Sequence, residues 1–300
     1  MQKNALSISS HVAHGYVGNR AVVFTLQYCG WNVDALHTTE FSNHPGYGQF
    51  KGQKADVETV KLIFEGLQSI LDLRLEYELI LVGYCPSAEV MSTLYEQITP
   101  LMGAAKEKSR PILVVDPVLG DNGKLYVPQQ IVKAHIEFLQ LGFVDLTTPN
   151  QFELELLTGI QIHDWESVKL ALTTFNEKYK VPNVVISSVI VDGRMYGVGF
   201  SKATEAIFYI PIAKIDCRFS GCGDVFTALL TNIFYENNCT LTPKVLSQVL
   251  IKLNRILMIS FNEEKAKLGK APIVVQDVRL IQSRKVLDEN FLHDLEVSYL

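Results

Sequence analysis

Short apolar runs alternate along the chain with stretches whose apolar residues recur every three or four positions. The runs ALSIS, WNVDALHTT, ELILVGY, PILVVDPV and VDLTTPN read as strands. Between them GNRAVVFTLQYCG, ADVETVKLIFEGLQSIL, SAEVMSTLYEQITPLM and PQQIVKAHIEFLQ carry helical spacing, and QFELELLTG and ESVKLALTTFNEKYK continue it. NVVISSVIV, RMYGVGFS and AIFYIPIAKI then read as closing strands, before two long helical patterns, VFTALLTNIFYEN and TPKVLSQVLIKLNRILMISFNEEKAK. This alternation predicts an α/β fold, a central mostly parallel sheet flanked by helices on both faces. No linker or repeat interrupts it, so residues 1–300 are expected to form a single domain. The apolar end FLHDLEVSYL covers either the core or a partner.

Ligands in such sheets bind outside the carboxyl ends of the strands. The polar residues following each strand are Ser10 and His11, the loop EFSNHPGYGQFKG, Gly83 and Tyr84, Asp116 with GDNGKLY, and Thr148, Asn150 and Glu153. The last is FSGCGDVF, where two glycines and Asp224 interrupt the passage into an apolar helix. Each has an ordinary reading: Asp116 as a turn before Pro117, Asn150 as an N-cap, Glu153 as a first-turn acid, Asp224 after a glycine turn. Their meeting on one rim is harder to explain by capping.

Phosphoryl transfer uses such a collection, because the protein must position an acceptor, neutralise phosphate charge and aim dipoles at the transferred group. Carboxylates without Lys or Arg partners suit Mg²⁺, and Asp121 and Glu153 are its candidate holders. The backbone N–H groups of Gly221–Asp224 would face a phosphate, with Asp224 taking the proton of an attacking hydroxyl. No G-x-x-x-x-G-K-[ST] stretch occurs, which excludes a P-loop kinase.

Composition narrows the classes. With 300 residues, 48% of them hydrophobic, the chain has enough apolar material for a large core. A net charge of −5 without a basic stripe argues against nucleic acid as a partner. The amino-terminal residues break any apolar run with Ser and His, so a cytoplasmic protein with no membrane segment is expected. The five cysteines lack C-x-x-C spacing and the seven histidines lack an H-x-x-x-H pair, which disfavours a zinc enzyme.

Four motifs together carry a resemblance: SHVAHGYVGN, FSNHPGY, DPVLGD and TPNQFELELLTG. With GCGD they make the chain similar to the pyridoxal kinase family of the ribokinase-like superfamily, over roughly the first 235 residues; the last 65 match only in helical character. The resemblance implies ATP-dependent phosphorylation of the 5′-hydroxymethyl group of pyridoxal, pyridoxine or pyridoxamine, with Mg²⁺, a monovalent cation such as K⁺, and a homodimer. It implies that Asp224 is the catalytic base beside an anion hole formed by Gly221, Cys222 and Gly223. Asn150 and Glu153 match the N-x-x-E motif that organises Mg²⁺ and its waters, and Asp116, Asp121 and Thr148 match residues near the phosphates and the monovalent ion. Ser10 matches the residue that hydrogen-bonds the pyridine ring, with Val17, His44, the Pro45 position and Tyr84 lining that pocket. Tyr126 matches a lid tyrosine over ATP, with Ser187, Ser188 and Phe219 on the nucleotide side.

Three departures stand out. Pro45 replaces a Thr, Cys222 replaces the Thr of G-T-G-D, and the lid GDNGKLYVP is short. Two other readings remain open: a hydroxymethylpyrimidine-type kinase, and a B6-binding protein with little turnover.

Overall fold

The apolar runs become strands buried on both faces. The computed structural model describes residues 3–103, 110–289, 291 and 294–300. The chain begins with β1 (Lys3–Val12), α1 (Asn19–Tyr28), β2 (Trp31–Phe41) and β3 (Gly52–Lys54). It continues with α2 (Val57–Ile70), α3 (Leu73–Glu76), β4 (Leu79–Val82), α4 (Ala88–Gly103) and β5 (Ile112–Val115). A small hairpin, β6 (Gly120–Asp121) and β7 (Lys124–Leu125), precedes α5 (Gln129–Gln140), β8 (Leu146–Thr147), α6 (Gln151–Thr158) and α7 (Trp165–Tyr179). Then come β9 (Asn183–Val191), β10 (Arg194–Ser201), β11 (Ala206–Pro211) and β12 (Arg218–Phe219). The chain closes with α8 (Cys222–Glu236), α9 (Pro243–Leu268), β13 (Val274–Val275), α10 (Leu280–Ser283), α11 (Lys285–Asp288) and β14 (Ser298–Tyr299).

Ten strands form one sheet in the order β14-β11-β10-β9-β8-β5-β4-β1-β2-β3. The six from β9 to β2 are parallel, while β3 at one edge and β10, β11 and β14 at the other pair antiparallel. Side-chain alternation explains why ELILVGY looks uniformly apolar. In β4, Ile80 and Val82 join the core beneath α2, α4, α5 and α7, whereas Leu79 and Leu81 join the core beneath α1, α8 and α9. A strand with a core on each side has no polar face to show.

The carboxy-terminal segment covers the sheet rather than projecting from it. Phe208 and Tyr209 of β11 pair with Tyr299 and Ser298, and Leu300 packs on the core. The strand expected over AIFYIPIAKI stops at Pro211, and GCGD is instead reached from the two-residue β12, which pairs with β13. Chain direction across the sheet reverses between β1 and β4: β2 lies on one side of β1, and β4, β5, β8 and β9 build out on the other. Strand ends diverge at such a switch point and leave a crevice.

Candidate functional site

A cavity of about 710 Å³ opens at this crevice, lined by the candidate site residues that the sequence offers, whereas His11 and Gly83, which also follow strands, do not line it. Ser10, Val17, His44, Pro45 and Tyr84 come from the β2-β1-β4 side. Asp116, Asp121, Tyr126, Thr148, Asn150, Glu153, Ser187 and Ser188 come from the β5-β8-β9 side. Phe219 and the Gly221–Asp224 stretch enter from the start of α8.

The start of α8 is shaped by a glycine that no other residue replaces. Gly221 is the N-cap with φ 84°, and a Cβ there would lie 2.0 Å from the Tyr16 carbonyl oxygen. The N–H groups of the first helical turn therefore open into the cavity at the positive end of the helix dipole. Asp224 sits in that turn, and the Gly18 N–H, at the start of α1, helps keep it ionised. Burial outweighs this help and raises its pKa to about 6. Such a group is ionised near pH 7 yet basic enough to accept a proton. Cys222 donates its thiol to the Phe219 carbonyl at 3.4 Å, and burial, with Asp224 and Asp121 nearby, pushes it up to about 11. It is a protonated, inert thiol.

Asn150 and Glu153 fill the helix-start roles that their types suggested. The Asn150 side chain accepts the Glu153 N–H at 3.0 Å, and Glu153 Oε2 accepts the Asn150 N–H at 2.8 Å, a capping box that starts α6. Glu153 Oε1 also accepts the N–H groups of Leu119 at 2.9 Å and Gly120 at 3.4 Å, and Asn150 donates to the Gly120 carbonyl at 2.8 Å. The pair thus pins the base of the β6-β7 hairpin, which carries Asp121 and leads into Tyr126. Three of the four lone-pair directions of Glu153 are occupied, leaving about one for a ligand or its water.

Asp116 is buried and accepts the Thr227 hydroxyl at 3.0 Å, while Thr227 and Thr148 share a hydrogen bond of 3.0 Å. Burial and the charge of Asp224 raise Asp116 to about 7, against hydrogen bonds from Thr227 and Thr148. Burial and the Asp116 charge likewise raise Glu153. Asp121 is raised by burial alone, despite the Asn122 N–H, and Tyr126 is pushed up to about 12 by burial and by Asp121 and Glu153. Among the described residues, four acids line the cavity and no Lys or Arg does. This uncompensated set of oxygens fits a hard divalent cation, so the residues present suit Mg²⁺.

The opposite wall is built from two loops tied to the carboxy-terminal region. His44 Nε2 lies 2.8 Å from the Gln276 carbonyl and its Nδ1 accepts the Gly46 N–H at 3.1 Å. These partners set the neutral Nε2–H tautomer and leave the ring to face the cavity without a free nitrogen. Tyr47 donates its hydroxyl to Asp277 Oδ2, and Asp277 Oδ1 accepts the Tyr16 N–H at 3.3 Å. One carboxylate therefore joins the loop before α1 to the loop after β2.

The phosphomethylpyrimidine kinase family profile matches residues 55–238, more than half of the chain. A putative pyridoxal kinase of Saccharomyces cerevisiae is 39% identical, over 97% of this chain and 94% of the relative. The pyridoxal kinase of Arabidopsis thaliana is 35% identical, over 93% of this chain and 89% of that one. The chain belongs to the pyridoxal kinase family. Its ribokinase-like fold agrees with that of a pyridoxal kinase from Leishmania donovani in complex with ADP and pyridoxine. That structure is 28% identical and superposes with a TM-score of 0.87 over 99% of each chain.

As a family member the chain departs from the usual motifs at positions whose surroundings are now visible. Pro45 is the first residue of a one-turn 3₁₀ helix, Pro45–Tyr47, capped by His44. At that position a missing N–H removes nothing from the helix and the fixed φ favours it, so the helix accepts proline, while the cavity loses the hydroxyl and N–H that a Thr would offer. Sequence reading missed Thr227 and Asp277. Thr227 had a signal, since it lies three residues after Asp224 and so on the same helix face. Asp277 had none, because 261 residues separate it from Tyr16.

Proposed function

We propose that this chain transfers the γ-phosphoryl group of ATP to the 5′-hydroxymethyl group of pyridoxal, and likewise of pyridoxine and pyridoxamine. The observation that carries the reading is the placement of Asp224. Its raised carboxylate stands in the first turn of α8, between a wall of Ser10, Val17, His44 and Tyr84 and a wall of acids. Ser10 hydrogen-bonds the pyridine ring, and Val17, Pro45 and Tyr84 enclose it. Asp224 accepts the hydroxyl proton as the oxygen forms its bond to the γ-phosphorus. The bond to the β–γ bridging oxygen breaks, and ADP leaves with that oxygen. The N–H groups of Gly221–Asp224 face the charge on the transferred group throughout. Glu153 and Asp121 would hold Mg²⁺, which would supply positive charge to the phosphate oxygens when bound. Thr148 and Asp116 belong to the surroundings of a monovalent cation, K⁺. Tyr126, Ser187, Ser188 and Phe219 border the nucleotide. The working form in this proposal is a cytoplasmic homodimer of single-domain subunits, checked by light scattering and by imaging of a tagged chain.

The test is ADP release with MgATP and K⁺ on pyridoxal, pyridoxine, pyridoxamine and hydroxymethylpyrimidine. Turnover on the B6 forms is expected, and Asp224→Asn should lower kcat by about 10²–10⁴-fold, the range of general-base removal, while pyridoxal still binds. Preference for hydroxymethylpyrimidine would move the assignment to that branch of the matched family. Pyridoxal binding without turnover would identify a binding protein, and an unchanged rate in Asp224→Asn would remove Asp224 from the mechanism.

A further inference from the structure

Behind the substrate wall, the ends of β1 and β2 carry a second group of ligating side chains. Ser10 and Val12 line the cavity whereas His11 does not, so His11 occupies the opposite face of the sheet. In the β1-β2 ladder Ser9 pairs with His37, Ser10 with Thr39 and His11 with Glu40, so Thr38 is an extra residue. In an unbroken strand residues three apart point to opposite faces. The bulge at Thr38 restores His37 and Glu40 to one face. His11, paired with Glu40 on the neighbouring strand, completes the group.

The geometry is compact. His11 Nδ1 lies 2.8 Å from Glu40 Oε2, and His37 Nδ1 lies 2.5 Å from Glu40 Oε1. The imidazole rings stack with centroids 4.2 Å apart and planes inclined by 6°. One ligand atom of each of the three residues lies within 4.8 Å of the other two. The side chains of His11, His37 and Glu40 are 26%, 31% and 50% exposed, so the cluster is open to solvent on one side. Burial would raise the Glu40 carboxyl, but the bonds from His37 and His11 outweigh it and hold it below its ordinary range, as an ionised ligand. Neither imidazole has another hydrogen-bond partner among the described residues.

We propose that His11, His37 and Glu40 form a binding site for a divalent transition-metal ion of the Zn²⁺ type, separate from the oxygen-rich Mg²⁺ region. Two imidazoles and one carboxylate suit zinc, nickel or copper, whereas Mg²⁺ prefers oxygen ligands throughout. Tetrahedral zinc with bonds of about 2.0–2.2 Å spaces its ligand atoms roughly 3.3 Å apart. The contacts of 2.8 and 2.5 Å need open by only about 0.5 and about 0.8 Å to admit it, and these partly exposed side chains have room to do so. Each ring binds through Nδ1 and carries its proton on Nε2, and water takes the fourth position. The ion would sit on the back of the strands that present Ser10 and Phe41 to the cavity. These ligands come from two strands rather than from a C-x-x-C or H-x-x-x-H spacing, and they form a binding site, not a catalytic centre.

The experiment is calorimetric titration of ZnCl₂ into the full chain in excess MgCl₂, with Co²⁺ absorption as a coordination probe. One Zn²⁺ per chain is expected, with Co²⁺ bands of the intensity that a four-coordinate nitrogen and oxygen site gives. His37→Asn and Glu40→Gln, each checked for an unchanged melting curve, should weaken it by roughly 10–100-fold or more, since even changes to the partners of metal ligands cost that much. Unchanged Zn²⁺ affinity in both variants would assign the ion to cysteines or to the cavity and overturn the proposal. Absence of one-to-one binding in the unmodified chain would do the same.

Discussion

His135 is fully buried in α5, and among the described residues neither of its ring nitrogens has a hydrogen-bond partner. Burial pushes its pKa down to about 3 from an ordinary 6.5. The sign follows from proton binding: below pH 6.5 the unfolded chain takes up a proton that the folded one refuses. The folded state is therefore destabilised progressively as pH falls from about 6.5 toward 3, by about 1.4 kcal/mol per pH unit at most. His135→Leu removes this dependence and two unsatisfied polar atoms. Thermal unfolding should show a higher Tm for the variant, with a gap that widens from pH 8 to pH 5; a gap independent of pH would show that His135 finds a partner. Single residues of the site behaved differently. Asn150 and Glu153 were legible as a helix start because a capping box calls for those residue types at that spacing. The sequence left open how many oxygens of Glu153 stay free, since the N–H groups of Leu119 and Gly120 come from a turn more than thirty positions away.

At the scale of elements, the start of α8 carries the sharpest constraint. Gly221→Ala places a Cβ against the Tyr16 carbonyl and in a left-handed conformation that L side chains rarely adopt. The loop before α1 must retreat or the first turn of α8 must unwind, and either misdirects the N–H groups at the cavity. We expect kcat/KM for ATP to fall about 10²-fold or more, as when donors to a developing charge are lost, with a lowered Tm. Near-normal kinetics would mean that the N–H groups there do not bind phosphate. Elements with long periodic patterns, such as α2, α5 and α7, were readable because each must bury one stripe. The two-residue strands β6, β7, β12 and β13 were not, because they exist only through pairing with a partner that tertiary structure brings alongside.

Across the whole molecule, Asp277 shows how a distant segment shapes the site. It holds Tyr47 and Tyr16 together, and through them His44, Pro45 and Val17 on that wall of the cavity. Hydrogen bonds to a charged group contribute about 1.5–3 kcal/mol each. Asp277→Ala should raise KM for pyridoxal by roughly tenfold or more while changing KM for ATP little, and equal effects on both would point to general unfolding instead. The α/β architecture was present in the chain itself, because apolar runs too short for helices, separated by amphipathic helices, have few ways to bury both faces except a covered parallel sheet. The residue types of the site were present too, since phosphoryl transfer restricts what can stand beside a phosphate. Tertiary structure alone decided which of these groups meet. Strand order put Ser10 and Tyr84 beside the acids, a bulge turned His37 and Glu40 to one face, and the carboxy-terminal region locked the substrate loops. Those contacts join residues far apart in the chain, where neither spacing nor periodicity carries information about distance.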